Sequence, residues 1–261
     1  MKKKNSILGF NVRAIQIPGT IKLIRKWIRR GYKGRHIVVA NTHVLAQGVQ
    51  DPLFRKMLHD SDAIIPDGMP LIWILRFKGW LLRHRVSGPD LMDILFKEDV
   101  RQGWKLRHYF YGGSKLALRL MMKKLRKKYP SLILCGSYSP PFRQLTPEED
   151  RRAIRKINQT KPDIVWVGLG SPKQELWIYH HKKVVKASVF LGVGQAFDLA
   201  AGRALRAPLW MRENGFEWLY RLIYNPRRLW KRYLIDGGYF VILAFLDIFK
   251  LKKFEKSQKA S

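Results

Sequence analysis

The sequence predicts an α/β fold, with a mostly parallel sheet covered by helices on both faces. Six short apolar or β-branched runs recur between stretches of helical character, which is the order that parallel βαβ units require. The runs are 37–40, 63–65, 106–111, 132–135, 163–167 and 187–191. Hydrophobic residues make up 46% of the 261 residues, which is enough for a sizeable core. We therefore expect a Rossmann-like domain over residues 1–207.

Helix starts are marked by capping patterns. Thr146, followed by a proline and two glutamates, has the spacing of a capping box. Residues 114–129 predict an amphipathic helix with Leu116, Leu120 and Leu125 among basic residues that form a solvated face. Residues 171–174, Ser-Pro-Lys-Gln, repeat the capping spacing and predict a helix start there.

After residue 207 the composition changes, which predicts a C-terminal helical membrane-associating appendage over residues 208–261. Trp, Tyr and Arg alternate closely in residues 216–233, a mixture that suits the headgroup zone of a bilayer. Residues 239–251 are mainly apolar, but the run is shorter than the roughly 20 residues that span a bilayer, and Asp247 interrupts it. We expect this run to lie in the interface. The alternative is a helix packed on the main domain or on another subunit.

The charge of the chain indicates a polyanionic partner or surface. Lys and Arg number 51 against 19 acidic residues, a net charge of +32. No zinc-ligand spacing, aromatic RNA-binding signature or clear helix-turn-helix is apparent, so we expect an anionic membrane surface and no nucleic acid. A basic peripheral membrane or nucleic-acid binding protein on a Rossmann-like scaffold remains the alternative function. The single cysteine, Cys135, and the lack of a signal-peptide-length apolar run near the start fit a reducing compartment.

Residues 64–70, Ile-Ile-Pro-Asp-Gly-Met-Pro, place one acid where a strand ends. Gly68 lets the backbone turn directly after Asp67. Ligands bind at the carboxyl ends of strands in open parallel sheets, so Asp67 is a candidate general base. The structural alternative is that Asp67 caps the helix that opens around Met69.

Three glycine turns follow predicted strands and suggest a nucleotide crevice, because glycine lets a nucleotide approach the backbone and helix N-termini attract phosphate. The candidate binding glycines are Gly112, Gly113, Gly168 and Gly194. Asp198 follows the last turn, where a carboxylate can cap a helix or bind ribose hydroxyls. The histidines and acids show no metal-ligand spacing, so we expect no metal. A transferase that releases a nucleoside diphosphate without metal needs Arg or Lys at the leaving group.

Several of these strings occur together in a recognisable order. Among them are Arg-Val-Ser-Gly-Pro-Asp at 85–90, Gly-Leu-Gly-Ser-Pro-Lys-Gln-Glu at 168–175 and Glu-Trp-Leu-Tyr-Arg at 217–221. From about residue 7 to residue 233 the chain resembles the WecG/TagA/CpsF family, glycosyltransferase family 26. The resemblance implies inverting, metal-independent transfer of N-acetylmannosamine or a related sugar from a UDP-sugar to an undecaprenyl-diphosphate-linked sugar. It also implies a peripheral position at the cytoplasmic face of the bacterial inner membrane, in cell-surface polysaccharide synthesis.

The resemblance also implies residue roles. Asp67 would be the general base, and Asn41 and Arg85 would line its pocket. Gln174 would hold uracil and Asp198 ribose. The C-terminal cations that would close over the diphosphate are Arg221 and Arg228, with Lys231 or Arg232.

Two departures from the family pattern leave the donor sugar open. A pocket threonine that some members carry two residues before the asparagine is Val39 here, and only Thr42 is a nearby substitute. The turn often written Gly-Gly-Ala-Phe carries Gln195 at its second position. We expect no cofactor besides the UDP-sugar donor, and the tail permits a homo-oligomer. Another nucleotide-dependent enzyme with the same glycine turns is the remaining alternative.

Overall fold

A computed structural model of the chain describes residues 5–254, except the side chains of Arg228 and Arg232. The strands are β1 Ser6–Ile7, β2 Phe10–Asn11, β3 Arg35–Ala40, β4 Ala63–Pro66, β5 Arg107–Gly112, β6 Ile133–Tyr138, β7 Ile164–Gly168 and β8 Val189–Gly192. The helices are α1 Ile17–Arg29, α2 Thr42–Gln50, α3 Pro52–His59, α4 Met69–Phe77, α5 Gly88–Gln102, α6 Lys115–Lys128, α7 Pro147–Gln159, α8 Lys173–His181, α9 Ala196–Ala201, α10 Leu209–Glu213, α11 Glu217–Tyr224, α12 Pro226–Trp230 and α13 Asp236–Ile248, with a π-helical segment at Lys231–Ile235.

The main sheet has six strands in the order β4-β3-β8-β7-β5-β6. Its pairings are parallel, and helices flank it. The short strands β1 and β2 form a separate antiparallel pair. All six apolar runs of the sequence form strands of the main sheet, so the predicted α/β class is confirmed.

The structure confirms one predicted helix start and corrects one helix face. Thr146 and Glu149 form the reciprocal capping box at the start of α7. Helix α6 forms where it was predicted, but Leu116 is 44% exposed. The buried side of α6 consists of Ala117, Leu118, Met121, Met122 and Leu125. Successive helical residues are about 100° apart, so Leu116 lies away from this row.

The chain divides into two compact units, each discontinuous in sequence. The first contains residues up to Gln16, Val38–Ser87 and the residues from Arg206 on; the second contains Ile17–Ile37 and Gly88–Leu205. The predicted division into residues 1–207 and 208–261 stays a prediction. A core of the second unit packs around β5 and β7, where the Tyr111 ring stacks on Trp177 with centroids 4.0 Å apart.

The described part of the C-terminal segment is helical, and α13 packs on α2 in the first unit. Its buried side consists of Phe240, Leu243 and Ala244. On its other side Val241 and Ile242 are at least 60% exposed. The helix therefore has both a packed face and an apolar face open to solvent. Within residues 5–254, no helix has the length and apolar character needed to cross a membrane.

Candidate active site

The ends of β3 and β4 position the candidate base. Asp67 directly follows β4, and its backbone N–H donates to the carbonyl of Ala40 at 2.7 Å, so the two strand ends lie side by side. Gly68 has φ +137°, a conformation that favours glycine, and occupies the cap position of α4 without a side-chain cap. The Asp67 carboxylate instead accepts a hydrogen bond from Arg85 Nη1 at 2.9 Å. The helix-cap interpretation of Asp67 is therefore wrong.

Asn41 is placed beside this position by the start of α2. Its side-chain oxygen accepts a hydrogen bond from the Val44 N–H at 3.2 Å, so Asn41 is the N-cap of α2. Asn41, Thr42 and His43 all line the cavity next to Asp67. The side chain of His43 meets Asp236, at the start of α13, with 2.8 Å between Nδ1 and Oδ2.

A cavity of about 470 Å³ opens beside Asp67 within the first unit. Its polar lining comes from residues that follow β3 and β4, from the loop before α5 and from the C-terminal helices, and its apolar lining from α4, α11, the π-helical segment and α13. The charged or polar groups are Asn41, Thr42, His43, Asp67, Arg85, Arg212, Glu217 and Arg221. The apolar and aromatic groups include Met69, Trp218, Tyr233, Phe240 and Val241. A ligand here would meet both an ionisable wall and a hydrophobic one.

The charged groups form a chain of alternating sign. Arg85 donates through Nη1 to Asp67 and through Nη2 to Glu217, and Glu217 also accepts from Arg221. The side chains of Asp67, Arg85 and Glu217 are between 13% and 21% exposed. Because each charge sits next to one of opposite sign, the network reduces the cost of keeping ionised groups partly out of water.

Burial and neighbouring charges shift the pKa values of the two carboxyl groups, Asp67 and Glu217, in opposite directions. Burial raises the pKa of Asp67 above its ordinary value, and Glu217 raises it further, while Arg85 opposes both. Burial also acts to raise the pKa of Glu217, but Arg221 and Arg85 outweigh it and hold that pKa below its ordinary value. Asp67 is thus the stronger base of the two, and Glu217 keeps its negative charge.

The structure brings together Asn41, Asp67, Arg85 and Arg221 of the predicted site. Lys231 does not line the cavity; it is exposed, with its ammonium 5.5 Å from the Trp230 ring centroid. The side chains of Arg228 and Arg232 lie outside the described residues. Sequence reasoning missed His43 and Glu217 as site residues. The sequence does contain an indication of Glu217: it lies four positions before Arg221 on one predicted helix, and residues at this spacing face each other.

Packing and backbone geometry explain the glycines in the turns of the second unit. A Cβ on Gly112 would lie 2.7 Å from the Gly168 carbonyl carbon, and one on Gly168 would lie 2.6 Å from the Phe197 ring. Gly113 and Gly194 have positive φ angles of 68° and 53°. Close packing and turn geometry therefore require glycine at these positions, and a nucleotide at the turns stays a prediction.

Gln174 does not complete a capping box. Helix α8 begins at Lys173, and no side chain caps it. The Gln174 side chain is instead buried: its Oε1 accepts from the Gly194 N–H at 2.9 Å, and its Nε2 donates to Glu175 Oε1 at 2.7 Å. The capping interpretation is wrong because the side chain turns back to the β8–α9 turn. Asp198 lies in the first turn of α9, where its ribose contact stays a prediction.

Comparison with known proteins decides the family. The model of the Glycosyl transferase WecG/TagA/CpsF family matches residues 5–254. The chain belongs to this family. The resemblance predicted from the sequence strings is confirmed, and the protein is a glycosyltransferase.

Three relatives of this WecG/TagA/CpsF glycosyltransferase carry the name N-acetylglucosaminyldiphosphoundecaprenol N-acetyl-beta-D-mannosaminyltransferase. The protein from Bacillus spizizenii is 32% identical over 203 residues, which cover 77% of this chain and 76% of the relative. The protein from Bacillus subtilis is 34% identical over 202 residues, with 77% and 75% covered. The protein from Staphylococcus aureus is 27% identical over 193 residues, with 74% and 73% covered.

Among the described residues of this family member, no group of three or more His, Cys, Asp or Glu side chains is arranged to hold a metal ion. The cavity lining includes three arginines, Arg85, Arg212 and Arg221. Its chemistry is that of a basic carboxylate next to fixed cations, beside an apolar wall.

Proposed function

We propose that this glycosyltransferase moves an N-acetylmannosamine-type sugar from a UDP-sugar to an N-acetylglucosamine linked to undecaprenyl diphosphate. The names of the relatives support the two sugars and the lipid carrier. The observation that carries the chemical part is the Asp67 carboxylate, which faces a cavity, has a raised pKa and is held by Arg85. A carboxylate of this kind is suited to taking a proton from an incoming hydroxyl.

In the proposed step the acceptor hydroxyl attacks the anomeric carbon of the donor sugar while its proton passes to Asp67. The new C–O bond forms as the bond to UDP breaks, and UDP leaves with the electron pair. Attack from the face opposite UDP inverts the anomeric configuration. General base catalysis of this type contributes about 100- to 10,000-fold.

The neighbours of Asp67 have distinct roles in this proposal. Arg85 orients the carboxylate through a hydrogen bond at 2.9 Å, and Glu217 holds the other side of the same guanidinium. Burial acts to lower the pKa of Arg221, but the surrounding acidic groups, chiefly Glu217, outweigh it, so the pKa is raised and Arg221 is positively charged. We assign Arg221, with Arg228 and with Lys231 or Arg232, to the negative charge that develops on departing UDP. Fixed guanidinium groups can do this without a metal ion.

The donor nucleotide is assigned to residues of the second unit, by resemblance to the family. Gln174 and Asp198 would contact uracil and ribose, beside the turns that contain Gly112, Gly168 and Gly194. The buried Gln174 amide is already oriented by two protein hydrogen bonds, which fits a fixed recognition group.

The same proposal places the enzyme on an anionic bilayer surface, at the cytoplasmic face where a nucleotide sugar is present. The net charge of +32 and the apolar exposed side of α13 support it. The alternative of a basic binding protein on an inert scaffold does not account for the Asp67–Arg85–Glu217–Arg221 network around a cavity.

The test is transfer by the purified protein. It is incubated with a panel of UDP-sugars and a lipid-diphosphate-linked N-acetylglucosamine, and both UDP release and product mass are measured. We expect UDP release with an N-acetylhexosamine donor that depends on the acceptor. A protein that releases no UDP with any donor, and shows only salt-sensitive binding to vesicles or nucleic acid, would be a binder rather than a transferase.

A further inference from the structure

Helix α4 connects the cavity to an exposed apolar surface. Met69 and Pro70, in its first turn, line the cavity. At the other end Phe77 is 73% exposed, and Leu81 in the following loop is 95% exposed. We call residues 77–84 the α4 tip. Two apolar side chains this exposed and this close in sequence indicate a contact surface, whereas single exposed apolar residues are common on any protein.

The α4 tip is an ordered loop. Arg76 donates through Nε to the Leu82 carbonyl at 2.6 Å and through Nη2 to the Arg83 carbonyl at 2.9 Å. The Trp80 N–H donates to the Leu75 carbonyl at 3.0 Å. Leu82 is 5% exposed although its neighbour Leu81 is almost fully exposed. These bonds fix the loop so that Leu81 points into solvent in the folded protein.

The chain segment that contains the α4 tip carries basic residues and no acidic ones. Residues 69–89 contain Arg76, Lys78, Arg83 and Arg85 and no acidic residue. Arg76 and Arg83 are exposed. An apolar side chain flanked by cations fits the boundary of an anionic bilayer, where the apolar group enters the acyl region and the cations meet phosphate.

The α4 tip is continuous with the C-terminal helices. Lys78 Nζ donates to Asp247 Oδ2 at 2.9 Å, which ties the tip to the last turn of α13. The exposed apolar side of α13 includes Phe245, which is 54% exposed, and Phe249 directly after the helix is 59% exposed. The Trp73 ring packs on the backbone of Gly215, where an added Cβ would lie 3.3 Å from it. The α4 tip therefore lies next to the C-terminal end of α13 in the first unit.

We propose that the α4 tip, through Phe77 and Leu81, contacts an anionic bilayer in addition to the C-terminal segment. The inference rests on the proposed function. A lipid-linked acceptor has its diphosphate at the headgroup level, so a protein that uses this acceptor needs its cavity close to the bilayer surface. Helix α4 has 9 residues, about 13 Å at 1.5 Å per residue. The helix therefore separates the cavity at its start from Phe77 at its end by about this distance.

A site-specific fluorophore tests the contact directly. An environment-sensitive label is placed on Leu81→Cys, and as a control on Phe142→Cys, each in a Cys135→Ser background. Phe142 is 100% exposed and lies in the second unit. With vesicles of phosphatidylcholine and phosphatidylglycerol we expect a blue shift and quenching by nitroxide lipids at position 81 only, and much less with phosphatidylcholine alone. No change at position 81, or an equal change at position 142, overturns the proposal.

Flotation with the same vesicles tests the energetic contribution. Phe77→Ser and Leu81→Ser should each lower the partition coefficient by up to roughly tenfold, whereas Phe142→Ser should not. Thermal unfolding should be nearly unchanged in all three, because these side chains are exposed. If Leu81→Ser leaves flotation unchanged but dissociates a dimer seen by light scattering, the occupant is a second copy of the chain and the proposal is wrong. Flotation uses no UDP-sugar, so its failure is distinct from a failure of sugar transfer.

Discussion

Asp67 and Arg85 are joined by a hydrogen bond of 2.9 Å, yet burial still raises the pKa of the Asp67 carboxyl above its ordinary value. A guanidinium alone would lower that pKa, but burial outweighs it and the negative charge of Glu217 adds to the effect of burial. Asp67 is therefore oriented by Arg85 and kept basic by burial. Both properties are needed of a general base, and each can be tested separately.

Asp67→Asn should lower kcat by about 100- to 10,000-fold, because the amide keeps the shape of the side chain but cannot accept the proton. The KM for the UDP-sugar should change little. Steady-state UDP release with saturating acceptor measures both. Asp60→Asn, an exposed acid paired with Lys56 in the same unit, is the matched control and should retain wild-type turnover. An Asp67→Asn enzyme within a few-fold of wild type would remove Asp67 as the base.

The stability of Asp67→Asn should depend on pH in a defined direction. The pKa of Asp67 is raised in the folded protein, so between its ordinary value of 3.8 and the folded value the folded state holds more protons than the unfolded state. The contribution of Asp67 to stability therefore falls as pH rises through this window. The asparagine variant lacks this loss. Its free energy of unfolding minus that of wild type should therefore be larger, meaning a relatively more stable variant, at pH 7 than at pH values near 4. Urea unfolding across this range measures it, and a difference that shrinks toward neutral pH would contradict the raised pKa.

Glu217→Gln should move the acid limb of the kcat/KM profile to lower pH. Glu217 raises the pKa of Asp67 through its negative charge, so the neutral glutamine should let that pKa fall. The profile reports the base of the free enzyme. Glu213→Gln, an exposed acid on α10, should leave the limb in place. A limb that stays in place or moves upward in Glu217→Gln would show that another group controls it.

The sequence predicts the sheet and part of the site because those signals are local. Apolar runs identify the six main-sheet strands, and the turn after β4 identifies Asp67 as a strand-end acid. The pairing of Arg85 with Glu217 joins residues 132 positions apart, and no local pattern predicts such a contact. Gln174 was misinterpreted because its spacing from Ser171 is that of a capping box, whereas its side chain bonds to Gly194 across the neighbouring turn.

Asp247→Leu should destabilise the protein although it extends an apolar run. In the sequence Asp247 looks like an interruption, but its carboxylate accepts from Lys78 Nζ at 2.9 Å and from the Leu8 N–H at 3.4 Å. The Lys78 side chain is only 19% exposed, so the leucine would leave its ammonium with the Ser6 carbonyl alone. We expect a loss of roughly 1–3 kcal/mol in the free energy of unfolding, measured with urea. The double variant Lys78→Met/Asp247→Leu should recover part of this loss, because no charge is then left without its counterion. A single variant as stable as wild type would show that the ion pair does not hold α13 in place.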